Sequence, residues 1–90
     1  MPKVKIYTKM LCPYCTRAKA LLNDLQTTFT EHKIFWSPKK FEEMVERSNG
    51  GRTVPQIFID GQCVGGCDEL HTLHREGKLA ALLGLSLIHI

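Results

Sequence analysis

Residues 4–25 read VKIYTKMLCPYCTRAKALLNDL and place a Cys-x-x-Cys motif where a strand gives way to a helix. Val4 and Ile6 alternate with more polar neighbours, which is the period of a half-buried strand. Apolar residues then recur at helical spacing, at Cys15, Ala18, Leu21, Leu22 and Leu25. The segment therefore predicts a strand that ends before Met10 and an amphipathic helix over 13–25.

The rest of the chain predicts a second strand, a second helix, a hairpin and a final helical region. Their predicted positions are a strand within 29–35, a helix that Ser37 and Pro38 begin and Gly50-Gly51 ends, a hairpin over 56–64 that turns at Asp60-Gly61, and a helical region over 67–83 interrupted near Gly77. Ser and Pro are typical of the N-cap and first position of a helix, and Asp-Gly readily takes the positive backbone angles of a tight turn. This order predicts an α/β fold with a four-stranded mixed sheet, in which a parallel pair joins an antiparallel hairpin and helices cover both faces.

Length and composition are those of one small globular domain. The chain has 90 residues, of which 43% are hydrophobic and 23% charged, so it can bury one modest core. The formal net charge is +3, but the Lys and Arg residues are scattered, which argues against nucleic-acid binding. No apolar run suits a signal peptide or a membrane span. We therefore expect a cytoplasmic monomer with neither nucleic acid nor membrane as a partner.

Cys12 is the predicted nucleophile. It lies where the strand ends and the helix begins, so its sulfur should face the unpaired N–H groups of the first turn. Those donors and the nearby charge of Lys9 favour thiolate over thiol. Pro13 suits the first helical position because it has no N–H to satisfy. Since the thiolate is the species that attacks disulfides, this position predicts thiol-disulfide chemistry.

Cys15 is the predicted partner of Cys12. It lies three residues further along the helix, on the same side and within reach of a disulfide. Burial should keep Cys15 more thiol-like than Cys12. The pair would then consist of one attacking cysteine and one that resolves a mixed disulfide.

A zinc site is the alternative use of these cysteines. A lone Cys-x-x-Cys can be half of such a site, and Cys63 with Cys67, or Cys67 with His71, could supply the other half. The redox role is favoured because the motif opens a long amphipathic helix directly after a strand, whereas Cys63 falls within a hairpin strand. No metal ligand is assigned.

Three motifs in this order resemble those of the glutaredoxin family, specifically its short dithiol bacterial-type class. They are Cys12-Pro13-Tyr14-Cys15, Thr53-Val54-Pro55-Gln56-Ile57-Phe58-Ile59 and Gly65-Gly66-Cys67-Asp68-Glu69-Leu70. The resemblance implies a thioredoxin-like fold, a domain over 1–83, and glutathione as co-substrate with no permanently bound cofactor. It also implies reduction of protein–glutathione mixed disulfides and of protein disulfides through Cys12 and Cys15.

The resemblance implies a binding mode for glutathione as well. A cis Val54-Pro55 bond would turn the backbone of Val54 towards Cys12, where it could pair with an extended peptide. The N–H groups around Cys67 and Asp68 would take the γ-glutamyl carboxylate, and the Asp68 carboxylate would pair with the ammonium group. Lys9 would meet the glycine carboxylate.

The resemblance implies eight glutathione-binding residues, which are spread along the chain. They are Lys9, Tyr14, Thr53, Val54, Pro55, Gly66, Cys67 and Asp68. Without the resemblance, Asp68 would be a helix N-cap or first-turn acid, Lys9 a solvated loop residue and Tyr14 a packing ring.

The remaining cysteines and aromatic residues are expected to have structural roles. Cys63 and Cys67 fall outside the redox pair and are predicted to be small packing residues. Phe35 and Trp36 lie where the second strand ends, so we expect them in the core. The tail over 84–90 has no counterpart in the resemblance, and no role is assigned to it.

An iron-sulfur carrier is the alternative from a different functional class. In that role, Cys12 from two chains and two glutathiones would hold one cluster between protomers. Pro13 counts against it by analogy, because cluster-binding glutaredoxins usually have a smaller residue at that position and often lack the second cysteine.

Overall fold

Two parallel strands and an antiparallel hairpin form one sheet in the computed structural model, which describes residues 2–84. The elements in chain order are β1 (Val4–Thr8), α1 (Pro13–Asp24), β2 (Thr30–Lys33), a 3-10 turn (Ile34–Trp36), α2 (Pro38–Arg47), β3 (Gln56–Ile59), β4 (Gln62–Gly65), α3 (Cys67–Arg75) and α4 (Lys78–Leu82). The strand order is β2-β1-β3-β4, with β1 parallel to β2 and antiparallel to β3. The predicted four-stranded mixed sheet is confirmed. The tail predicted over 84–90 lies, except for Gly84, outside the described residues.

Local chemistry explains where these elements begin and turn. The Ser37 hydroxyl accepts a hydrogen bond from the Lys40 N–H at 3.2 Å, and Pro38 is the first residue of α2. Asp60 and Gly61 both have positive φ, at 52° and 83°, as the two central residues of a two-residue hairpin turn require. Gly77, at φ 75°, separates α3 from α4. The predicted N-cap, hairpin turn and final interruption are confirmed.

Helices cover both faces of the sheet, because successive strand residues point to opposite sides. On one face, Ile6 and Ile57 pack against α1, α3 and α4 in the larger core cluster. On the other face, Tyr7 and Phe58 pack against Met44 of α2. The expected arrangement of helices on both faces is therefore confirmed. Within residues 2–84, no helix has the length and apolar character needed to cross a membrane.

Phe35 and Trp36 correct the expectation that both would pack in the core. Their exposed fractions are 65% and 69%, and their rings pack edge-to-face on each other at 4.7 Å. The reason is that β2 ends at Lys33 and the chain turns into the 3-10 turn, which interrupts the strand alternation. Ile34 takes the inward position instead and packs against the cluster around Tyr7.

A polar network joins β1, β2 and α1 beside the Cys-x-x-Cys motif. The buried Thr8 hydroxyl donates to Glu31 Oε2 at 2.6 Å, and Lys19 Nζ donates to the same oxygen at 2.9 Å. Burial alone would raise the pKa of Glu31, but the hydrogen bonds from Thr8 and Lys19 and the charges of Lys19 and Lys33 lower it below its ordinary value. The carboxylate form is therefore favoured in the fold.

We expect Glu31→Gln to lower the free energy of unfolding by about 1–2 kcal/mol at neutral pH, because hydrogen bonds to a charged group are the stronger kind. Since the pKa of Glu31 is depressed in the fold, the carboxylate's contribution is present above its unfolded pKa and is lost as the pH falls through its folded pKa. Urea unfolding should therefore show a difference between Glu31→Gln and wild type at about pH 7 that shrinks towards about pH 3.

Glu76→Gln is the matched control, because the Glu76–Lys78 pair at 3.4 Å is exposed and should contribute little. A destabilisation by Glu31→Gln that is the same at both pH values would contradict an electrostatic role for this carboxylate.

Candidate active site

Cys12 caps the helix that carries the second cysteine. It is the N-cap residue of α1, and its Sγ accepts a hydrogen bond from the Cys15 N–H at 3.3 Å. Pro13 occupies the first helical position. The backbone donor and the positive end of the helix dipole both favour negative charge on this sulfur. The sequence-based expectation that the sulfur would face the first turn is confirmed.

The exposed part of Cys12 faces a cleft of about 540 Å³, which we call the Cys12 cleft. The residues that line it are Lys9, Leu11, Cys12, Pro13, Tyr14, Ile34, Phe41, Arg52, Thr53 and Val54. Cys12 is only 8% exposed, so a sulfur that reacts with it has to enter this cleft. Four of its lining residues were not predicted from the sequence: Leu11, Ile34, Phe41 and Arg52. Arg52 directly precedes the Thr53-Val54-Pro55 motif, and that adjacency was the available signal.

Cys15 lies on the buried side of α1 and is 2% exposed. Burial raises the pKa of Cys15 to about 12, and the hydrogen bond and charge of Cys12 add to the effect. The expectation that burial would favour the thiol form of Cys15 is confirmed. All four cysteines are free thiols in this structure.

A second cleft, of about 170 Å³, lies beside the first, and we call it the Asp68 cleft. The residues that line it are Tyr14, Thr53, Val54, Pro55, Gly66, Cys67, Asp68 and Glu69. Seven of the eight residues that the resemblance assigned to glutathione therefore share one cleft, and Lys9 lines the adjoining Cys12 cleft. The Val54-Pro55 peptide bond is cis, as the resemblance implied. Glu69 also lines this cleft and was not predicted from the sequence.

The Asp68 cleft is built around the start of α3. Gly66 is the N-cap residue, and its N–H donates to Glu69 Oε1 at 2.6 Å, so Asp68 is a first-turn acid and not the N-cap. A side chain at Gly66 would bring its Cβ within 3.2 Å of the Pro55 carbonyl oxygen, so the two segments would have to shift apart by a few tenths of an ångström. Within residues 2–84, no hydrogen bond or ion pair engages the Asp68 carboxylate.

The two cysteines outside the redox motif differ in their surroundings. Cys67 is 4% exposed and packs in the larger core cluster, as expected, and burial raises its pKa. Cys63 is exposed, so the packing role predicted for it is wrong, because β4 is an edge strand whose first residues face outward.

The alternative of a zinc site requires a second pair of ligands, either Cys63 with Cys67 or Cys67 with His71. Cys67 Sγ and His71 Nδ1 are 3.4 Å apart, and the same ring nitrogen lies 2.9 Å from the Cys67 carbonyl oxygen. In the part of the chain that the structure describes, no three His, Cys, Asp or Glu side chains come together in a way that could hold a metal ion. The Cys67–His71 contact is thus a pair within one helix.

Known proteins carry the same pattern of residues. The family model described as Glutaredoxin matches residues 4–64. The chain belongs to the glutaredoxin family. Glutaredoxin 3 of Escherichia coli (strain K12) is 54% identical over 83 residues, which are 92% of this chain and 99% of that relative. Glutaredoxins are thiol-disulfide oxidoreductases, so the chain is an enzyme of that class.

Solved glutaredoxin structures share the fold. The solution structure of glutaredoxin from Brucella melitensis is 51% identical, with a TM-score of 0.78 and coverage of 90% of this chain and 87% of that one. The crystal structure of a buckwheat glutaredoxin–glutathione complex is 30% identical, with a TM-score of 0.83 and coverage of 92% and 77%. The mixed sheet and its helices are therefore the thioredoxin-like fold of glutaredoxins, as the resemblance implied.

Proposed function

We propose that this glutaredoxin reduces protein–glutathione mixed disulfides and protein disulfides, with Cys12 as nucleophile, Cys15 as resolving cysteine and glutathione as electron donor. The observation that carries the proposal is the position of Cys12 Sγ, which accepts the Cys15 N–H at the start of α1 and lines an open cleft. No permanently bound cofactor is needed, because the two electrons come from thiols. The catalytic domain is taken as 1–83.

The first route removes glutathione from a modified protein. The Cys12 thiolate attacks the glutathione sulfur of the mixed disulfide, the protein leaves as a thiolate that takes up a proton, and glutathione stays bonded to Cys12. A second glutathione thiolate then attacks this bond, releasing glutathione disulfide and the Cys12 thiolate. Cys15 takes no part in this route.

The second route reduces a disulfide within a protein. The Cys12 thiolate attacks one sulfur and forms a mixed disulfide, after which the Cys15 thiolate attacks Cys12 Sγ and the reduced target leaves. The hydrogen bond and charge of Cys12 contribute to the raised pKa of Cys15. Once Cys12 is part of a mixed disulfide it carries no negative charge, so its contribution falls. Burial is then the main effect that opposes ionisation of Cys15. Two glutathiones reduce the resulting Cys12–Cys15 disulfide.

The Asp68 cleft is the proposed binding site for glutathione. The Asp68 carboxylate would pair with the ligand's ammonium group, while the first-turn N–H groups around Cys67 and Asp68 would take its γ-glutamyl carboxylate. Lys9 would meet the glycine carboxylate from the adjoining cleft, where Arg52 adds a second cation. The remaining proposed contacts are Tyr14, Thr53, Val54 and Pro55. Three of these four line both clefts, which supports a ligand that reaches from Asp68 to Cys12.

A glutathione-coupled assay on the mixed disulfide of glutathione and 2-mercaptoethanol tests the proposal. We expect turnover that depends on added glutathione. Iron and zinc analysis of the purified protein should find neither metal in stoichiometric amount. Absence of turnover, or one bound metal per one or two chains, would contradict the proposal.

Asp68→Asn should raise KM for the glutathione mixed disulfide about tenfold and change kcat little, because it removes one charge-assisted pair with the ligand. The measurement is steady-state kinetics on the same substrate. Asp24→Asn serves as the control, since Asp24 is an exposed carboxylate at the end of α1 and lines neither cleft. Equal KM values for Asp68→Asn and wild type would remove Asp68 from the binding site.

The cytoplasm is the proposed location, because a reducing compartment holds the dithiol and glutathione in the forms that both routes require. A monomer is the proposed working unit. Both proposed routes need one copy of Cys12 and Cys15.

A further inference from the structure

Exposed apolar side chains concentrate around the Cys12 cleft. Among residues 2–84, the large hydrophobic residues with exposed side chains are Met10, Leu11, Tyr14, Phe35, Trp36 and Leu82. All except Leu82 belong to two short segments, 10–14 and 35–36. Leu11 is 98% exposed, and the aromatic pair stack on each other and not on the core. Single exposed apolar residues are ordinary, but a cluster of them marks a binding surface.

The two segments lie side by side because of the sheet topology. β1 and β2 are parallel, and Thr8 pairs with Lys33, so the chain leaves both strands at the same edge of the sheet. One exit leads to Leu11 and Cys12, and the other leads into the 3-10 turn, whose first residue, Ile34, lines the Cys12 cleft. We call the set Met10, Leu11, Tyr14, Phe35 and Trp36 the apolar rim. Leu11 and Tyr14 of this set line the Cys12 cleft, and Phe35 and Trp36 directly follow Ile34, which also lines it.

The charges on the Cys12-cleft side of the apolar rim are positive, whereas Asp68 and Glu69 lie on the other side of Tyr14, in the Asp68 cleft. Lys9 and Arg52 line the Cys12 cleft, and within the described residues no Asp or Glu does so. Lys33, exposed at the end of β2, leads directly into the 3-10 turn, and the Arg17 guanidinium lies 6.0 Å from the centre of the Tyr14 ring. A partner that docks here therefore meets cations at several points and is favoured if it carries carboxylates.

We propose that the apolar rim is a docking surface for protein disulfides that carry a large apolar side chain, preferably aromatic, and carboxylates next to the reacting cysteine. This inference rests on the proposed function and adds a substrate class to it. Glutathione does not occupy the site when a protein disulfide first reacts, so Lys9 and Arg52 are then free to face the partner's carboxylates. The partner's apolar side chain packs against Trp36 and Phe35, since an exposed Trp is the residue type most often found as a binding anchor.

Three cyclic disulfide peptides test the docking proposal. They are identical except that the first has Trp and Asp beside one cysteine, the second has Ser and Asp, and the third has Trp and Lys. Pre-reduced protein is mixed with each peptide, and the second-order rate constant is measured for the transfer of two electrons, which leaves the peptide as a dithiol and the enzyme with a Cys12–Cys15 disulfide. We expect wild type to reduce the first peptide about tenfold faster than either of the other two.

Trp36→Ser should abolish the preference for the peptide with Trp over the peptide with Ser. Leu82→Ser is the matched control, because Leu82 is the exposed large hydrophobic residue of α4 and lines neither cleft. The control should retain the wild-type preference. Equal rates for all three peptides with wild type, or an unchanged preference in Trp36→Ser, would overturn the docking proposal.

The glutathione assay separates failure of docking from failure of the proposed function. If wild type turns over the small mixed disulfide but treats the peptides alike, only the docking proposal fails. If wild type turns over neither substrate, the proposed function itself fails. Analytical ultracentrifugation tests whether the apolar rim binds a second copy of the chain instead. A dimer that dissociates in Trp36→Ser would show that the rim serves self-association and would overturn the proposal.

Discussion

Cys12→Ser should lower both activities, deglutathionylation and protein-disulfide reduction, by about a thousandfold or more, because each route begins with attack by the Cys12 sulfur. A hydroxyl in the same place is neither ionised at neutral pH nor able to form the mixed disulfide. The fold should survive, since Ser is a good N-cap and can accept the Cys15 N–H that Cys12 Sγ accepts. The measurement is kcat/KM for both substrates, with a urea unfolding curve for each protein.

Cys63→Ser is the control for this variant. Cys63 is exposed on β4 and lines neither cleft, so its removal should leave both activities unchanged. If Cys12→Ser stays folded and retains wild-type activity on either substrate, Cys12 is not the nucleophile of that route.

Cys15→Ser should separate the two routes. We expect deglutathionylation to remain within a few-fold of wild type, and protein-disulfide reduction to fall about a hundredfold, because only the second route needs a resolving thiol. The variant should accumulate a mixed disulfide between Cys12 and the target. Non-reducing electrophoresis or intact-mass measurement can detect this adduct directly, in addition to the two rates.

Cys67→Ser is the informative companion, because Cys67 is buried and lines the Asp68 cleft. Protein-disulfide reduction should persist in Cys67→Ser after correction for any lost stability. If Cys15→Ser kept this activity and Cys67→Ser lost it, Cys67 would be the resolving cysteine in place of Cys15.

Features of the fold that depend on neighbouring residues could be predicted from the sequence. Ser37 and Pro38 begin α2 because the hydroxyl reaches an N–H three residues away and the proline ring already has a helical φ. Asp60-Gly61 turns the hairpin for a similarly local reason. The position of Cys12 at the start of α1 also follows from the strand pattern before it and the helical spacing after it.

Features that depend on how the chain runs between strands and helices could not be predicted from the sequence. Phe35 and Trp36 were expected in the core, because strand alternation says nothing about a 3-10 turn that ends it. Cys63 was expected to pack, but β4 lies at the edge of the sheet, and that follows from strand order. Arg52 was missed as a wall of the Cys12 cleft because residues distant in sequence form that wall.

The sequence by itself determined the elements, their order and the sulfur that caps a helix, because each depends on interactions within a few residues along the chain. Only the tertiary structure decided which residues share a cleft, that Cys63 is exposed, and that the two exposed apolar segments leave the sheet at the same edge as Cys12. The physical reason is that parallel pairing of β1 and β2 and the antiparallel pairing of β1 with β3 join segments distant in sequence. Those contacts, and the burial that follows from them, do not depend on any local pattern.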